Sequence, residues 1–340
     1  MKLSRSARTH AALCLLLAAA LAACSPGAGN TNTGAQSNAN ASATPAAPQI
    51  AETERPQSVR DKMAQRGAEE EAKPVLKIVQ PADGSTVNGS TVRVRLDLSG
   101  DLKGYKPHKD PATNMGNHIH VILDNEPYEA YYELDQPFEL RNVSEGPHTL
   151  RVFASRPWHE SYKNDGSFQM VSFTVRGGGD PTKPTTTNGG QVMSNNNSRP
   201  AANTNSAASN SNANAAATPA PTAEGKDYAA KPNAAGAPDR ARPLLTYSRP
   251  KGEYKDADAE AIMIDFWLTN AKLEGDGGEY RVRYSVDGGA PKYLSRWEPI
   301  WLKGWTAGKH RVKVELVNRD DTVVQNAGYN STEREITVVK

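Results

Sequence analysis

The chain has 340 residues, and its 40 Lys and Arg nearly balance its 38 Asp and Glu, for a formal charge of +2. Such a balance offers no basic field to a polyanion, which argues against nucleic-acid binding. Cys14 and Cys24 are the only cysteines, too few for a disulfide framework or a thiolate metal cluster.

In chain order, the first predicted element is an export signal over residues 1–24. Lys2, Arg5 and Arg8 precede the apolar run "AALCLLLAAALAA", which is too short and wrongly flanked for a spanning helix. It closes on "LAAC", Leu21 to Cys24, which resembles a bacterial lipobox. The resemblance implies cleavage before Cys24, lipidation of that residue and a lipid anchor in the cell envelope. Ser25 in place of Asp then implies the outer membrane. Losing three basic and no acidic residues with the signal takes the chain from +2 to about −1, and Cys14 leaves with it.

Residues 25–73 begin "SPGAGNTNTGAQSNANASATPAAP", and residues 177–241 contain "AANTNSAASNSNANAAATPAPTAEG". Both are rich in Asn, Ala, Thr and Pro with little to bury, so they are expected to be a disordered tether and a disordered linker. The second is expected to let its two neighbours move independently. "SVRDKMAQRGAEEEAK" (58–73) is charged but lacks an apolar stripe, and is read as part of the tether.

Between and after these lie two compact segments, 74–176 and 242–340. "TVRVRLDL" (91–98) alternates apolar and polar residues, the period of a half-buried strand. "HIHVILD" (118–124), "HTLRVFAS" (148–155) and "VSFTV" (171–175) continue that rhythm, with Pro, Gly and Asp at the turns. About seven short strands in roughly 100 residues is the rhythm of an immunoglobulin-like sandwich. The second segment reads as a divergent copy of the first. "GPHTLRV" lies over "GKHRVKV", "IVQPADG" over "YSRPKG", and Asp124 over Asp287. "PADGSTVNGSTVRVRLDL" and the strand ending in "LD" resemble bacterial extracytoplasmic immunoglobulin-like modules, a resemblance of fold that implies no particular function.

The repeat separates residues of the fold from residues of one copy. His148 and His310 occupy the same point in both copies and are read as turn or packing residues. His118 and His120 are replaced by Arg281 and Arg283. Strand alternation sends Ile119, Val121 and Leu123 inward, so both imidazoles share the outer sheet face. That face is expected to be solvated; the alternative is a pair of ligands for Cu or Zn. The loop "SRPWHESYKNDG" (155–166) belongs to the first copy alone. Sandwich topology puts it beside the 99–116 loop, so His108, Met115, His118, Trp158, His159 and Glu160 are expected near one end. In the second copy, "SRWEPIWLKGW" carries Trp297, Trp301 and Trp305. Trp305 replaces Val143 and is read as core, whereas Trp301 and Trp297 replace Glu139 and Asp135 and are expected to face solvent.

The expected protein is all-β, with two immunoglobulin-like β-sandwich domains joined by disordered linkers. The leading functional reading is a non-catalytic, envelope-anchored binding or scaffolding module for a protein or glycan, without a cofactor. Its contacts would come from Trp158, His159, Glu160, Lys163, Trp297 and Trp301. The alternative is Cu or Zn binding by His118, His120 and His159, and a structural spacer is the third reading. The sequence shows no nucleophile elbow, no HExxH and no phosphate-binding Gly loop, so no enzyme is expected.

Overall fold

The computed structural model describes residues 49–188 and 237–340. The export signal, Cys24, residues 25–48 of the first Asn/Ala/Thr-rich segment and residues 189–236 of the second lie outside them. No helix among the described residues is long and apolar enough to cross a membrane.

The described part is β throughout apart from one α-helix and short 3-10 turns. A leading strand β1 (Ala51–Thr53) and helix α1 (Gln57–Arg66) precede the first sandwich. That sandwich contains β2 (Lys73–Gln80), β3 (Thr86–Asn88), β4 (Val92–Asp101), β5 (His118–Leu123) and β6 (Glu129–Tyr131). It continues with β7 (Phe138–Arg141), β8 (Gly146–Ser155), β9 (Phe168–Arg176) and β10 (Thr186–Thr187). The second sandwich contains β11 (Leu244–Arg249), β12 (Gly252–Lys255), β13 (Ile262–Thr269) and β14 (Arg281–Val286). It ends with β15 (Lys292–Leu294), β16 (Ile300–Lys303), β17 (Gly308–Val317) and β18 (Ser331–Val339).

Strand order repeats between the two. The first sandwich faces β10-β7-β4-β2 against β3-β9-β8-β5-β6, and the second faces β1-β16-β13-β11 against β12-β18-β17-β14-β15. In both, one short strand runs parallel to a long strand of its five-stranded sheet, β3 to β9 and β12 to β18. The copies also share a cis proline, Pro81 and Pro250, beside a register shift in the first strand pair. This is an immunoglobulin-like arrangement used twice. Each sandwich has its own core, one built on residues such as Val94, Ile119, Leu150 and Val175, the other on Ile264, Val282, Leu302 and Val314.

The turn histidines behave as the repeat implies. Nδ1 of His148 lies 2.8 Å from Asp124 Oδ2 and its Nε2 lies 2.9 Å from the Ser144 carbonyl. His310 copies this with Asp287 at 2.7 Å and the Thr306 carbonyl at 2.9 Å. Burial alone would lower the pKa of His148, but Asp124 and the Ser144 carbonyl outweigh it and leave the imidazole above its ordinary value.

Two expectations about the connecting segments are corrected. Residues 51–73 are not a featureless tether, because β1 extends the second sandwich by pairing with β16. α1 carries no apolar stripe and buries only Val59, yet its C-terminal turn is held by polar contacts. Arg66 bonds Asn117 Oδ1 and the Tyr162 hydroxyl, each at 2.7 Å, and Glu70 meets Arg156 at 2.8 Å. The helix stops at Gly67, whose φ of 54° an L side chain rarely adopts.

Nor are the sandwiches independent. The outer face of β5 and β8 lies against the outer face of β11 and β13, so these strands are buried on both sides. Trp267 stacks on Phe168 with ring centroids 5.5 Å apart, and Phe153 and Ile122 complete that apolar patch. Polar pairs cross the same boundary. Arg151 bonds Thr246 Oγ1 at 2.9 Å, Asn125 bonds Thr332 Oγ1 at 3.0 Å, and Arg334 reaches the Asn125 carbonyl at 2.6 Å. Burial pulls the pKa of Arg151 down to about 10.

Candidate metal centre

The site begins at the bend entering β5. A Cβ on Gly116 would stand 1.8 Å from the His108 carbonyl, so only glycine lets the long 102–117 loop fold back this closely. The Gly116 carbonyl then lies 2.8 Å from His118 Nδ1. A carbonyl can only accept, so Nδ1 carries the proton and the Nε2 of a neutral His118 presents its lone pair.

That nitrogen is the meeting point. His120 Nε2 lies 2.9 Å from it and His159 Nδ1 lies 3.0 Å from it. All three candidate ligand atoms fall within 4.8 Å of one another. The ring of His120 is stacked on Tyr128 with centroids 3.5 Å apart and meets Phe153 edge-on at 4.8 Å. His118 also touches Tyr132. His118 and His120 are 0 % exposed, which corrects the expectation that their face is solvated. The face is the outer one, as alternation requires, but the second sandwich covers it.

His159 is half-buried and comes from the loop particular to the first copy. Its φ of 69° is left-handed, unusual for a residue with a Cβ. The loop is fastened on both sides of that strained position. Ser155 bridges Ser161, and the His159 amide donates to the Arg156 carbonyl at 2.9 Å. Asp265 of β13 accepts from the Ser161 amide at 3.1 Å, the Ser161 hydroxyl at 2.7 Å and Lys163 Nζ at 2.7 Å.

The other residues expected to bind a partner bind each other instead. Trp158 is 8 % exposed and Trp301 is 6 % exposed; they pack in one cluster with Val59 and Met263. Glu160 accepts from the Trp158 indole at 2.9 Å and pairs with Arg55 at 3.0 Å. Lys163 lies over the ring of Trp297, whose indole donates to the Phe266 carbonyl at 3.0 Å. The expectation of solvent-facing indoles at Trp301 and Trp297 is therefore corrected: Arg55, Val59 of α1 and Trp158 cover Trp301, and half-buried Trp297 lies against Trp267 and Lys163. Trp305 lies in the core of the second sandwich. His108 is exposed and its amide closes the loop onto the Asn117 carbonyl, while Met115 is half-buried; neither belongs to the histidine group.

Sequence reasoning missed Ser248, whose Oγ lies 3.3 Å from His120 Nδ1, as well as Asp265. A signal existed in "IMIDFWL" and in Ile122 and Phe153, where apolar residues occupy outward positions as well as inward ones. Strands that read apolar on both faces are covered on both faces.

No family model matches the chain, and no curated protein matches it. Among solved structures, fibronectin(III)-like modules of CbhA from Clostridium thermocellum match 78% of this chain and 94% of their own at 10% identity, with a TM-score of 0.22. The D00-D0 domain of intimin matches 77% of this chain and 98% of its own at 10% identity and a TM-score of 0.19. SGBP-B of the Bacteroides ovatus mixed-linkage glucan utilization locus, solved in complex with a mixed-linkage heptasaccharide, matches 78% of this chain and 70% of its own at 12% identity and a TM-score of 0.18. Likeness at this level carries no argument about what this chain binds.

Proposed function

We propose that this chain is a non-catalytic, lipid-anchored envelope protein that binds one transition-metal ion, Zn²⁺ or Cu²⁺, through His118, His120 and His159. The observation that supports this reading is the convergence of three imidazole nitrogens within 4.8 Å. Ligands at about 2.0–2.1 Å in a tetrahedral arrangement stand roughly 3.3 Å from one another, so binding opens the 2.9 and 3.0 Å contacts slightly and draws in the widest pair from within 4.8 Å. An all-nitrogen set suits Zn or Cu and is poor for Ca or Mg, which take oxygen. The stacked Tyr128 and the neighbouring Phe153 and Tyr132 close over the imidazoles, and this enclosure favours holding an ion over turning over an organic substrate. The lipobox and the envelope location come from the sequence and belong to the same proposal. The coarser reading of a partner-binding module is compatible with it, with Trp158 and Trp301 removed from the contact surface.

Equilibrium dialysis of the chelator-stripped chain tests the reading. One equivalent of Zn²⁺ or Cu²⁺ should bind with a Kd near or below about 1 µM at neutral pH. His118→Ala and His159→Ala should each weaken it by roughly 100-fold or more. Wild-type binding weaker than about 10 µM, or equal binding by the variants, would overturn it.

A further inference from the structure

We infer that the second sandwich is part of the metal centre: it supplies no ligand but orients two of the three, so that docking of the sandwiches and metal binding are one coupled event. This rests on the metal reading above and goes beyond it in naming what regulates the site.

The three ligands are positioned from different places. His118 is set within its own sandwich by the Gly116 carbonyl. The ring of His120 is held in plane by Tyr128 of its own sandwich, but its Nδ1 faces Ser248 Oγ on β11 of the second sandwich at 3.3 Å. For Nε2 of a neutral His120 to take a metal, Nδ1 must carry the proton, and Ser248 is then its acceptor. Such an outer partner fixes the tautomer and ring orientation of a metal-binding imidazole. His159 depends on the second sandwich as well. Its loop is tied down two and four residues later, where Ser161 and Lys163 both bond Asp265 of β13. Asp265 is 1 % exposed and two of its three bonds come from one residue, so the loop has a fixed point close to the strained His159 backbone.

Two consequences follow from chemistry. With the sandwiches apart, Ser248 and Asp265 are withdrawn, so His120 loses the Ser248 oxygen at Nδ1 and the His159 loop loses its Asp265 anchor. By reciprocity, an ion that binds the docked form more tightly stabilises docking by the same factor. Ser248 and Asp265 are thus positioning residues, and the buried interface is where an ion would be admitted or released.

The test titrates Zn²⁺ into the chelator-stripped whole chain by calorimetry, using wild type, Ser248→Ala, Ser248→Thr and Asp265→Asn, with the metal-free melting temperature of each measured alongside. Ser248→Ala should weaken Zn²⁺ binding by about 10–100-fold, and Ser248→Thr, which keeps the hydroxyl, should stay near wild type. Asp265→Asn should also weaken binding. Ser248→Ala removes a single buried oxygen, so it keeps the test available if Asp265→Asn does not fold. A purely structural role would lower metal-free melting while leaving the affinity of the folded protein unchanged, and that result overturns the inference. Hydrogen exchange on wild type supplies the reciprocal reading. Zn²⁺ should slow exchange in β11 and β13 as well as in β5 and the 156–167 loop; slowing confined to the first sandwich overturns it. Failure of wild type to bind Zn²⁺ or Cu²⁺ sinks the metal reading itself, whereas unchanged binding in the variants sinks only the coupling.

Discussion

Trp158 illustrates how the surroundings of one side chain decide its role. An indole on an open loop would be a contact for a partner, and its truncation would leave stability alone. Here it lies among Val59, Met263 and Trp301, with its N–H on Glu160. Trp158→Ala should therefore cost about 3–5 kcal/mol in denaturant unfolding, and an unchanged midpoint would return the residue to the surface. His148 makes a prediction in pH. Its folded-state pKa is raised despite burial, because Asp124 and the Ser144 carbonyl favour the protonated ring. The stability it contributes is complete below the ordinary imidazole value of about 6.5 and is lost as pH rises through the raised folded value. Melts of wild type and His148→Gln should converge as pH climbs through that window and separate below it. Parallel curves would show that the ion pair is not linked to folding.

At the scale of single elements, much of the fold was legible and the covering of its faces was not. The alternation in "TVRVRLDL" located β4, and "GPHTLRV" over "GKHRVKV" paired β8 with β17. The His118–His120–His159 grouping was also reachable, because strand parity put two imidazoles on one face and sandwich topology put the third at its edge. Parity could not say whether that face met water. Solvation of an outer face depends on a surface contributed from more than 100 residues away, and no local period records it. The outward Ile122, Phe153, Met263 and Trp267 were the available trace. α1 was missed for the opposite reason: an apolar stripe is the usual signature of a docked helix, and this one docks through Val59 against Trp158 and through the polar contacts of Arg66 and Glu70. Arg66→Ala should loosen α1 and the Tyr162 edge of the loop, seen as faster exchange of amides in 57–71. Exchange at the wild-type rate would show that the helix docks by other means.

Over the whole molecule the central fact is that two copies of one sandwich have become a single body. Both copies keep the Asp–His turn, the cis proline and the strand order, while the first carries the His118–His120–His159 group and the second supplies Ser248 and Asp265 beside it. The Lys163–Asp265 pair is buried on the Asp265 side and crosses the boundary. Asp265→Ala strands an ammonium, and should cost about 3–5 kcal/mol. It should also separate the unfolding of the two sandwiches, which in wild type should coincide by every probe; a wild type that already unfolds in two steps would contradict a shared interface. Cys24→Ser should release the chain from the membrane fraction if the lipobox is used, and retention would refute it. The most direct test of the account is X-ray absorption at the metal edge of the chain loaded with one equivalent of Zn²⁺. The bound ion should show three imidazole nitrogens at about 2.0–2.1 Å, reduced in His159→Ala. A shell of oxygen alone, or one identical in wild type and His159→Ala, would contradict the metal reading.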